Sequence, residues 1–93
     1  MKKERKSRRR VRFEVDAEPG CSVYVAGTFN AWNPRRKKLA ESDRPGNYAA
    51  TMLLPRGRHE YKFVINGTWC VDPQCREWTP NDQGSLNSVL VVD

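Results

Sequence analysis

Short runs of residues that alternate between apolar and polar side chains are the feature that most constrains this fold. Val11, Phe13 and Val15 alternate with charged residues, and Pro19-Gly20 then interrupts the pattern. A period of two places successive side chains on opposite faces, so each such run predicts a half-buried β-strand. The predicted strands cover residues 11–16, 23–27, 48–54, 59–65, 68–70 and 88–92.

The spacing of these runs predicts an all-β protein. No stretch has a sustained helical period, and residues 28–47 and 71–86 are rich in turn residues. Asn66-Gly67 favours a type I′ turn, because both residues tolerate positive φ. Five or six short strands in a chain of 93 residues predict one β-sandwich domain. We expect its core to include Val11, Phe13, Val23, Val25, Tyr61, Phe63 and Val89.

The positive charge is concentrated at the N-terminus. Residues 1–10 contain seven basic side chains and one acidic side chain, which accounts for the net charge of +6. Residues 11–93 therefore sum to zero. A segment this charged buries little apolar surface, so residues 1–10 are predicted to be a disordered tail before a domain at 11–93. The tail either binds a polyanion or serves only as a solubilising or linking segment.

The cysteines and the hydropathy pattern indicate the cellular compartment in which we expect the protein. Three cysteines (Cys21, Cys70 and Cys75) are an odd number without a C-x-x-C pair, which argues against a disulfide framework or a zinc site. No apolar run approaches the ~20 residues of a membrane span, and no signal peptide is recognisable. We therefore expect a cytoplasmic protein that has no membrane span and holds no metal or cofactor.

No residue pattern indicates catalysis. His59 is the only histidine and has no nucleophile motif near it. The acidic residues are scattered, whereas glycoside hydrolysis needs two carboxyl groups facing one cleft. No phosphate-binding glycine loop is present. We accordingly assign no catalytic residue.

The tryptophans are the stronger functional signal. Trp32, Trp69 and Trp78 all lie in or beside predicted loops, where a large apolar ring is costly to leave in water. A tryptophan face can cover the C–H face of a sugar ring, while neighbouring polar groups bond the hydroxyls. Alternatively, the rings plug the ends of the sandwich. Both interpretations stay open for Trp32 and Trp69, and the plug is favoured for Trp78.

Four motifs occur in a fixed order along residues 11–93. They are VYVAGTFNAW at 23–32, GRHEYKFV at 57–64, NGTWCVDP at 66–73 and GSLNSVL at 84–90. This order resembles the family 48 carbohydrate-binding modules, which include glycogen-binding domains of kinase β subunits and N-terminal domains of branching and debranching enzymes. The resemblance implies an immunoglobulin-like β-sandwich that binds α-1,4-glucan on one sheet face.

The resemblance also implies which residues bind sugar. The six positions, which match ligand-contacting positions of the family, are Trp32, Lys62, Trp69, Gln83, Ser85 and Asn87. Ser85 replaces a threonine of similar role, and Gln83 replaces a leucine that inserts into the glucan ring. Strand alternation independently predicts that Lys62 points away from the core if its neighbours Tyr61 and Phe63 belong to the core.

We therefore predict a non-catalytic module that binds a polysaccharide such as glycogen or starch, or a maltooligosaccharide. The first alternative is an interaction module that packs on a catalytic or kinase partner without binding sugar itself. A second alternative makes a polyanion bound to the basic tail the main partner.

Overall fold

The computed structural model of the chain describes residues 8–93. Its strands are β1 (Arg8–Asp16), β2 (Val23–Gly27), β3 (Lys37–Glu41), β4 (Asn47–Pro55), β5 (Gly57–Ile65), β6 (Thr68–Cys70), β7 (Trp78–Pro80) and β8 (Leu86–Val92). A 3₁₀ helix, Thr28–Asn30, follows β2. Within these residues, no helix has the length and apolar character that crossing a membrane requires.

The strands form two antiparallel layers. β1 pairs with β4 in one layer, and β2, β5, β6, β7 and β8 form the other. β3 connects them, because Lys37–Leu39 pair with β2 whereas Ala40 and Glu41 pair with β4. The order β1-β4-β3-β2-β5-β8-β7 thus curls around one core, and β6 adds to β5. This confirms the predicted all-β, immunoglobulin-like sandwich.

The two layers enclose one hydrophobic core in which aromatic rings are central. The Tyr61 ring lies 5.1 Å from the Phe13 ring and 5.8 Å from the Phe63 ring, measured between centroids. Val23 and Val25 are fully buried beside them. The prediction of these five residues as core is confirmed, which shows that the period-two pattern identified the inner faces of β1, β2 and β5 correctly.

The other two predicted core residues are also buried, to different degrees. Val89 is 5% exposed and belongs to the buried hydrophobic core, although it lies outside the main cluster, whereas Val11 is partly buried and packs against that cluster. Along β8 the residues on the face toward the main cluster are Ser88, Leu90 and Val92, which alternate with Val89. Residues 89–92 are all apolar, so no alternation specified which face is inward, and a shift by one residue exchanges the faces.

The first strand begins earlier than predicted. Arg8, Arg9 and Arg10 pair with residues 55, 54 and 53 of β4, so the boundary expected at residue 11 is corrected to residue 8. Backbone hydrogen bonding does not depend on side-chain charge, and exposed arginines are compatible with a strand. The rest of the predicted tail, residues 1–7, lies outside the described residues.

Two short strands occupy segments that were predicted as loops. β3 has one deeply buried residue, Leu39, and β7 has none. With so few buried positions neither segment has an alternation from which a strand could be predicted. β3 is a strand because it pairs with β2 on one side and β4 on the other, and β7 is a strand because it adds to the edge of the longer β8.

Candidate functional site

A cavity of about 840 Å³ lies on the outer face of the larger layer. Its lining combines two aromatic rings with polar side chains from separate strands and loops: Thr28, Trp32, Glu60, Lys62, Trp69, Pro80, Asn81, Asp82, Gln83 and Asn87. Five of the six predicted sugar-binding residues are in this lining. The sixth, Ser85, is hydrogen-bonded to Lys62. Residues far apart in sequence therefore converge on one surface.

Trp32 reaches the cavity through a turn that Asn30 holds. The backbone N–H of Gly27 donates to Asn30 Oδ1 at 3.0 Å, and Asn30 Nδ2 donates to the carbonyl of Val25 at 3.1 Å. The N–H of Trp32 then donates to the carbonyl of Gly27 at 2.9 Å. The F-N-x-W part of the first motif thus forms a hydrogen-bonded turn, and this turn places the tryptophan outside the core.

The backbone at Trp32 is strained. Ala31 and Trp32 have φ values of 57° and 58°, in the left-handed region. This conformation costs an L-residue about 1–2 kcal/mol and is unusual for a bulky side chain. Strain of this kind is concentrated at functional sites, where the surrounding structure maintains it. It supports a role for Trp32 beyond packing, since Trp32 also lies outside the core cluster.

Gly27 is required by space at the base of the same turn. A Cβ at this position would lie 2.4 Å from the carbonyl oxygen of Glu60 and 2.7 Å from a ring carbon of Phe29. The Phe29 ring packs at 5.5 Å from the Phe13 ring and so fixes the turn to the core. The glycine therefore allows β2, β5 and the Trp32 turn to approach one another.

Trp69 is placed by the hairpin between β5 and β6. Asn66 and Gly67 have φ values of 50° and 85°, which confirms positive φ at both positions of the predicted turn. The N–H of Ser22 donates to Asn66 Oδ1 at 2.9 Å and fixes the hairpin to the neighbouring loop. Trp69 pairs with Val64 and is 43% exposed. Its ring is therefore presented at the cavity and not packed in the core.

Lys62 lies on the opposite face of β5 from Tyr61 and Phe63, as alternation predicted. It is nevertheless only 9% exposed, so it is not an ordinary surface lysine. Its Nζ donates to Ser85 Oγ at 2.7 Å. An ammonium group has three N–H donors, which leaves two for a ligand.

Asn87 is held at both ends of its amide. Its Nδ2 donates to Glu60 Oε1 at 3.0 Å, while its Oδ1 accepts from Asn81 Nδ2 at 3.0 Å. Arg58 donates to Glu60 Oε2 at 2.7 Å. Hydrogen bonding from Asn87, with help from Arg58 and against the effect of partial burial, lowers the pKa of Glu60. Glu60 is therefore an ionised carboxylate beside the cavity.

Sequence reasoning missed Glu60 and Asn81 as members of the site. Glu60 was identifiable in principle, because it precedes Lys62 by two residues on one strand and so shares its face. Asn81 gave no periodic signal, since it lies in the turn between β7 and β8. Its Oδ1 accepts from the N–H groups of Gln83 and Ser85 at 2.9 and 3.0 Å. The turn that carries these two predicted residues is thus built around Asn81.

Asp72 of the D-P motif after Trp69 bonds residues of the two strands, β5 and β8, that support the site. Asp72 Oδ2 accepts from the hydroxyl of Tyr61 at 2.6 Å, and the N–H of Asp72 donates to Ser88 Oγ at 2.9 Å. Burial, reinforced by the Asp72 hydrogen bond, raises the pKa of Tyr61 far above its usual value. The phenol thus stays protonated and links the segment after β6 to β5 and β8.

Trp78 is a correction to the sequence interpretation, which favoured a plug in the sandwich. Trp78 is 52% exposed and lies on the short strand β7, opposite Ser88. Within the described residues it is not part of the core or of the cavity lining. β7 adds only three residues to one side of β8, which is too little to cover the ring.

This arrangement can bind a neutral, polyhydroxylated molecule. Two tryptophans offer apolar surface, and Lys62 and Glu60 of the same cavity lining offer a donor and an acceptor. Throughout residues 8–93, no group of three or more His, Cys, Asp or Glu side chains is arranged to hold a metal ion.

Comparison with known proteins gives the same indication. The family model for the glycogen recognition site of AMP-activated protein kinase matches residues 9–93. The chain belongs to this family. The cavity and every motif described above lie within the matched region, so the family of glycogen recognition sites indicates carbohydrate as the ligand class.

Relatives of this family member include kinase subunits. The chain is 36% identical over 73 residues to 5'-AMP-activated protein kinase subunit beta-1 of Bos taurus, which covers 78% of this chain and 25% of the relative. It is 34% identical over 73 residues to the Sus scrofa beta-1 protein, covering 78% and 56%. Identity to subunit beta-2 of Mus musculus is 29% over 76 residues, covering 82% and 27%. The chain thus spans between a quarter and about half of these relatives' lengths.

Proposed function

We propose that the domain binds α-1,4-glucan in the cavity and does not transform it. The observation that carries this proposal is the convergence of Trp32 and Trp69 with Lys62 and Asn87 on one cavity. The proposed ligand is glycogen, starch or a maltooligosaccharide. The family description names only glycogen among these. A cytoplasmic location and the absence of catalysis stay predictions.

The proposed binding energy comes mainly from the rings. A neutral glucan has no charge to attract, so affinity depends on C–H surface covered by aromatic faces. Hydrogen bonds to hydroxyls replace bonds to water and contribute only about 0.5–1.5 kcal/mol each. Trp69, with 43% of its surface exposed, has the more accessible ring for this contact. Binding should therefore be of modest affinity and nearly independent of salt.

The remaining polar residues would orient the glucan. Lys62 has two N–H donors beyond its bond to Ser85, and the turn that carries Gln83 and Ser85 contributes to the cavity lining. Gln83 is exposed and can bond hydroxyls, but it cannot provide the apolar contact of a leucine. We therefore propose binding along the cavity without insertion of an aliphatic side chain into the glucan ring.

The test is a maltooligosaccharide titration followed by tryptophan fluorescence and calorimetry. Trp69→Ala should weaken binding at least tenfold. The matched control is Trp78→Ala, which removes a somewhat more exposed tryptophan outside the cavity and should bind like the unmodified chain. Both variants should unfold at the temperature of the parent within a few degrees. Normal binding by Trp69→Ala, or equal losses in both variants, would contradict the proposal.

The non-catalytic part has its own test. Prolonged incubation of the pure chain with maltooligosaccharides should leave their chain-length distribution unchanged. Turnover that disappears on replacing Glu60 or Asp82, the two carboxylates of the cavity lining, would overturn it.

A second candidate is protein interaction, favoured by exposed apolar side chains outside the cavity. Leu53, Trp78 and Val91 are 52–57% exposed. The relatives are named as kinase subunits, so a kinase-subunit partner is proposed to contact exposed apolar side chains of this kind. Leu53→Ser or Val91→Ser should then weaken a pull-down of that partner while glucan binding persists. Pull-down that is unaffected by both changes would remove this candidate.

A further inference from the structure

Glu60 accepts a hydrogen bond from Asn87, and its carboxylate also faces the cavity, where it could have a second role. Its side chain is 25% exposed and contributes to the lining. It precedes Lys62 by two residues on the same face of β5, so the two side chains start about 7 Å apart along the strand. That distance is on the scale of one sugar unit. A cation and an anion thus lie side by side along one wall.

The Glu60 carboxylate is held in a fixed orientation. Asn87 bonds one oxygen at 3.0 Å and Arg58 bonds the other at 2.7 Å. The backbone N–H of Glu60 donates to Thr28 Oγ1 at 3.3 Å. A carboxylate has about four lone-pair positions, and these contacts occupy two of them. Two acceptor positions therefore remain on a carboxylate that has already lost its rotational freedom.

The cavity otherwise has few fixed side-chain acceptors. Lys62 only donates, the Asn87 amide oxygen already accepts from Asn81, and Asp82, the other carboxylate of the lining, is exposed. The Asn87 oxygen keeps one further acceptor position, whereas the Glu60 carboxylate keeps two. Every sugar hydroxyl must donate its proton as well as accept one, and a hydroxyl bound without an acceptor loses a bond that water provided. A bond to a charged acceptor is roughly twice as strong as one between neutral groups.

We propose that Glu60 contacts the glucan directly and accepts hydrogen bonds from its hydroxyl groups, as the acceptor counterpart of Lys62. This inference rests on the proposed glucan binding. The charged groups around Glu60 are Arg58 and Lys62 on its own strand and Asp82 of the cavity lining. The hydrogen bond from Asn87 and, to a smaller extent, the hydrogen bond and positive charge of Arg58 lower the pKa of Glu60, so the carboxylate is ionised near neutral pH.

The experiment measures maltooligosaccharide affinity of the full chain and its variants by calorimetry. Glu60→Gln keeps an oxygen that can accept from Asn87 but removes the charge. It should weaken binding about fivefold, the fold-change that corresponds to the difference between charged and neutral hydrogen bonds. Glu60→Met removes every acceptor and should weaken binding more. The matched control is Glu14→Gln, because Glu14 also bonds an arginine and an asparagine but lies outside the cavity lining.

Direct contact is separated from mere positioning by changing the ligand. Fluorine accepts weakly but cannot donate, so maltotriose analogues carrying fluorine in place of single hydroxyls remove one donor at a time. At the hydroxyl that faces Glu60, the substitution should weaken binding to the parent chain but have little effect on Glu60→Met. Equal losses in both proteins at every position would overturn direct contact and leave Glu60 as a support for Asn87.

The pH profile gives a second readout. The affinity of the parent chain should fall as pH drops below about 4.5, the usual pKa of a glutamate, while Glu60→Gln stays flat. An identical profile in both proteins would also overturn the inference. If the parent chain binds no glucan at any pH, the proposed function itself fails. If it binds and Glu60→Met binds equally well, only the role of Glu60 fails.

Discussion

Two clusters with the same residue types lie on opposite layers of the sandwich. They are Arg12–Glu14–Asn47 on β1 and β4, and Arg58–Glu60–Asn87 on β5 and β8. In each, the arginine precedes the glutamate by two residues, and an asparagine from the neighbouring strand donates to the carboxylate, at 2.7 Å and 3.0 Å respectively. Hydrogen bonding from the asparagine lowers the pKa of both glutamates.

The difference between the clusters lies in what surrounds them. Asn47 and Asn87 are both deeply buried, at 4% and 6% exposure, but the Asn47 amide also bonds Asp16 and Ser42 and lies outside the cavity lining. Asn87 instead borders the cavity with Trp32 and Trp69. A polar cluster on a sheet therefore does not make a binding site by its own geometry. The loops that bring aromatic rings to one of the clusters create the candidate site.

Replacing each asparagine should separate stability from binding. Asn47→Ala removes three side-chain hydrogen bonds and should lower the free energy of unfolding by about 3 kcal/mol. Its glucan affinity should not change. Asn87→Ala removes two such bonds, costs about 2 kcal/mol and should weaken glucan binding as well. Urea unfolding measures the stability of each variant, and calorimetry measures its glucan affinity. Loss of glucan binding in Asn47→Ala would contradict the assignment of binding to the Asn87 cluster alone.

Gly27→Ala should displace the turn that carries Trp32, so that the Arg58–Glu60–Asn87 cluster loses a neighbouring aromatic ring. The added methyl group meets the Glu60 carbonyl and the Phe29 ring, so we expect a loss of about 1–3 kcal/mol in the free energy of unfolding. Glucan affinity should fall because Trp32 moves. Gly20→Ala is the control for adding a methyl group: no atom lies within 4 Å, although its φ of 82° adds strain. A Gly27→Ala variant that binds normally would show that the Trp32 turn is not needed.

The two glutamates should contribute alike to the pH dependence of stability. Each has a folded-state pKa below the usual value of 4.5, so its contribution is complete above that pH and is lost as pH falls through the folded-state value. Glu14→Gln and Glu60→Gln should each flatten the decline of the thermal midpoint below about pH 4.5. A decline unchanged in both variants would mean that other carboxylates dominate it.

Removing residues 1–7 should have the smallest effect on either cluster. Glucan affinity and the thermal midpoint should stay those of the full chain, because the described strand begins at Arg8. If the basic segment binds a polyanion, that interaction should disappear, and in the full chain it should weaken steeply with salt. Loss of glucan binding in the shortened chain would mean that the site has been misplaced.

The sequence predicted the fold and part of the site for different physical reasons. Alternation identified the inner faces of β1, β2 and β5, because one buried face imposes a strict period. It did not indicate which face of residues 89–92 is inward, because every residue there is apolar, and it missed β3 and β7, which have too few buried positions. The four ordered motifs pointed to Trp32, Lys62, Trp69 and Asn87, which the structure brings together, although their binding role stays a prediction.

Other parts of the site depend on contacts that no local pattern encodes. Asn81 lies in a turn and contributes through bonds to Asn87 and to backbone N–H groups of the same turn. The exposure of Trp78 depends on how much of the molecule covers β7, which is a property of the whole fold. Such features follow from tertiary packing and not from the residues on either side.

The indole N–H signals of the three tryptophans provide the most direct test of the central claim. In a nitrogen–proton correlation spectrum each tryptophan gives a separate Nε1–H signal, assigned by single replacement with phenylalanine. On titration with a maltooligosaccharide, the signals of Trp32 and Trp69 should move with one common saturation curve, while that of Trp78 stays in place. Movement of the Trp78 signal alone, or saturable binding that leaves both Trp32 and Trp69 unmoved, would contradict glucan binding in this cavity.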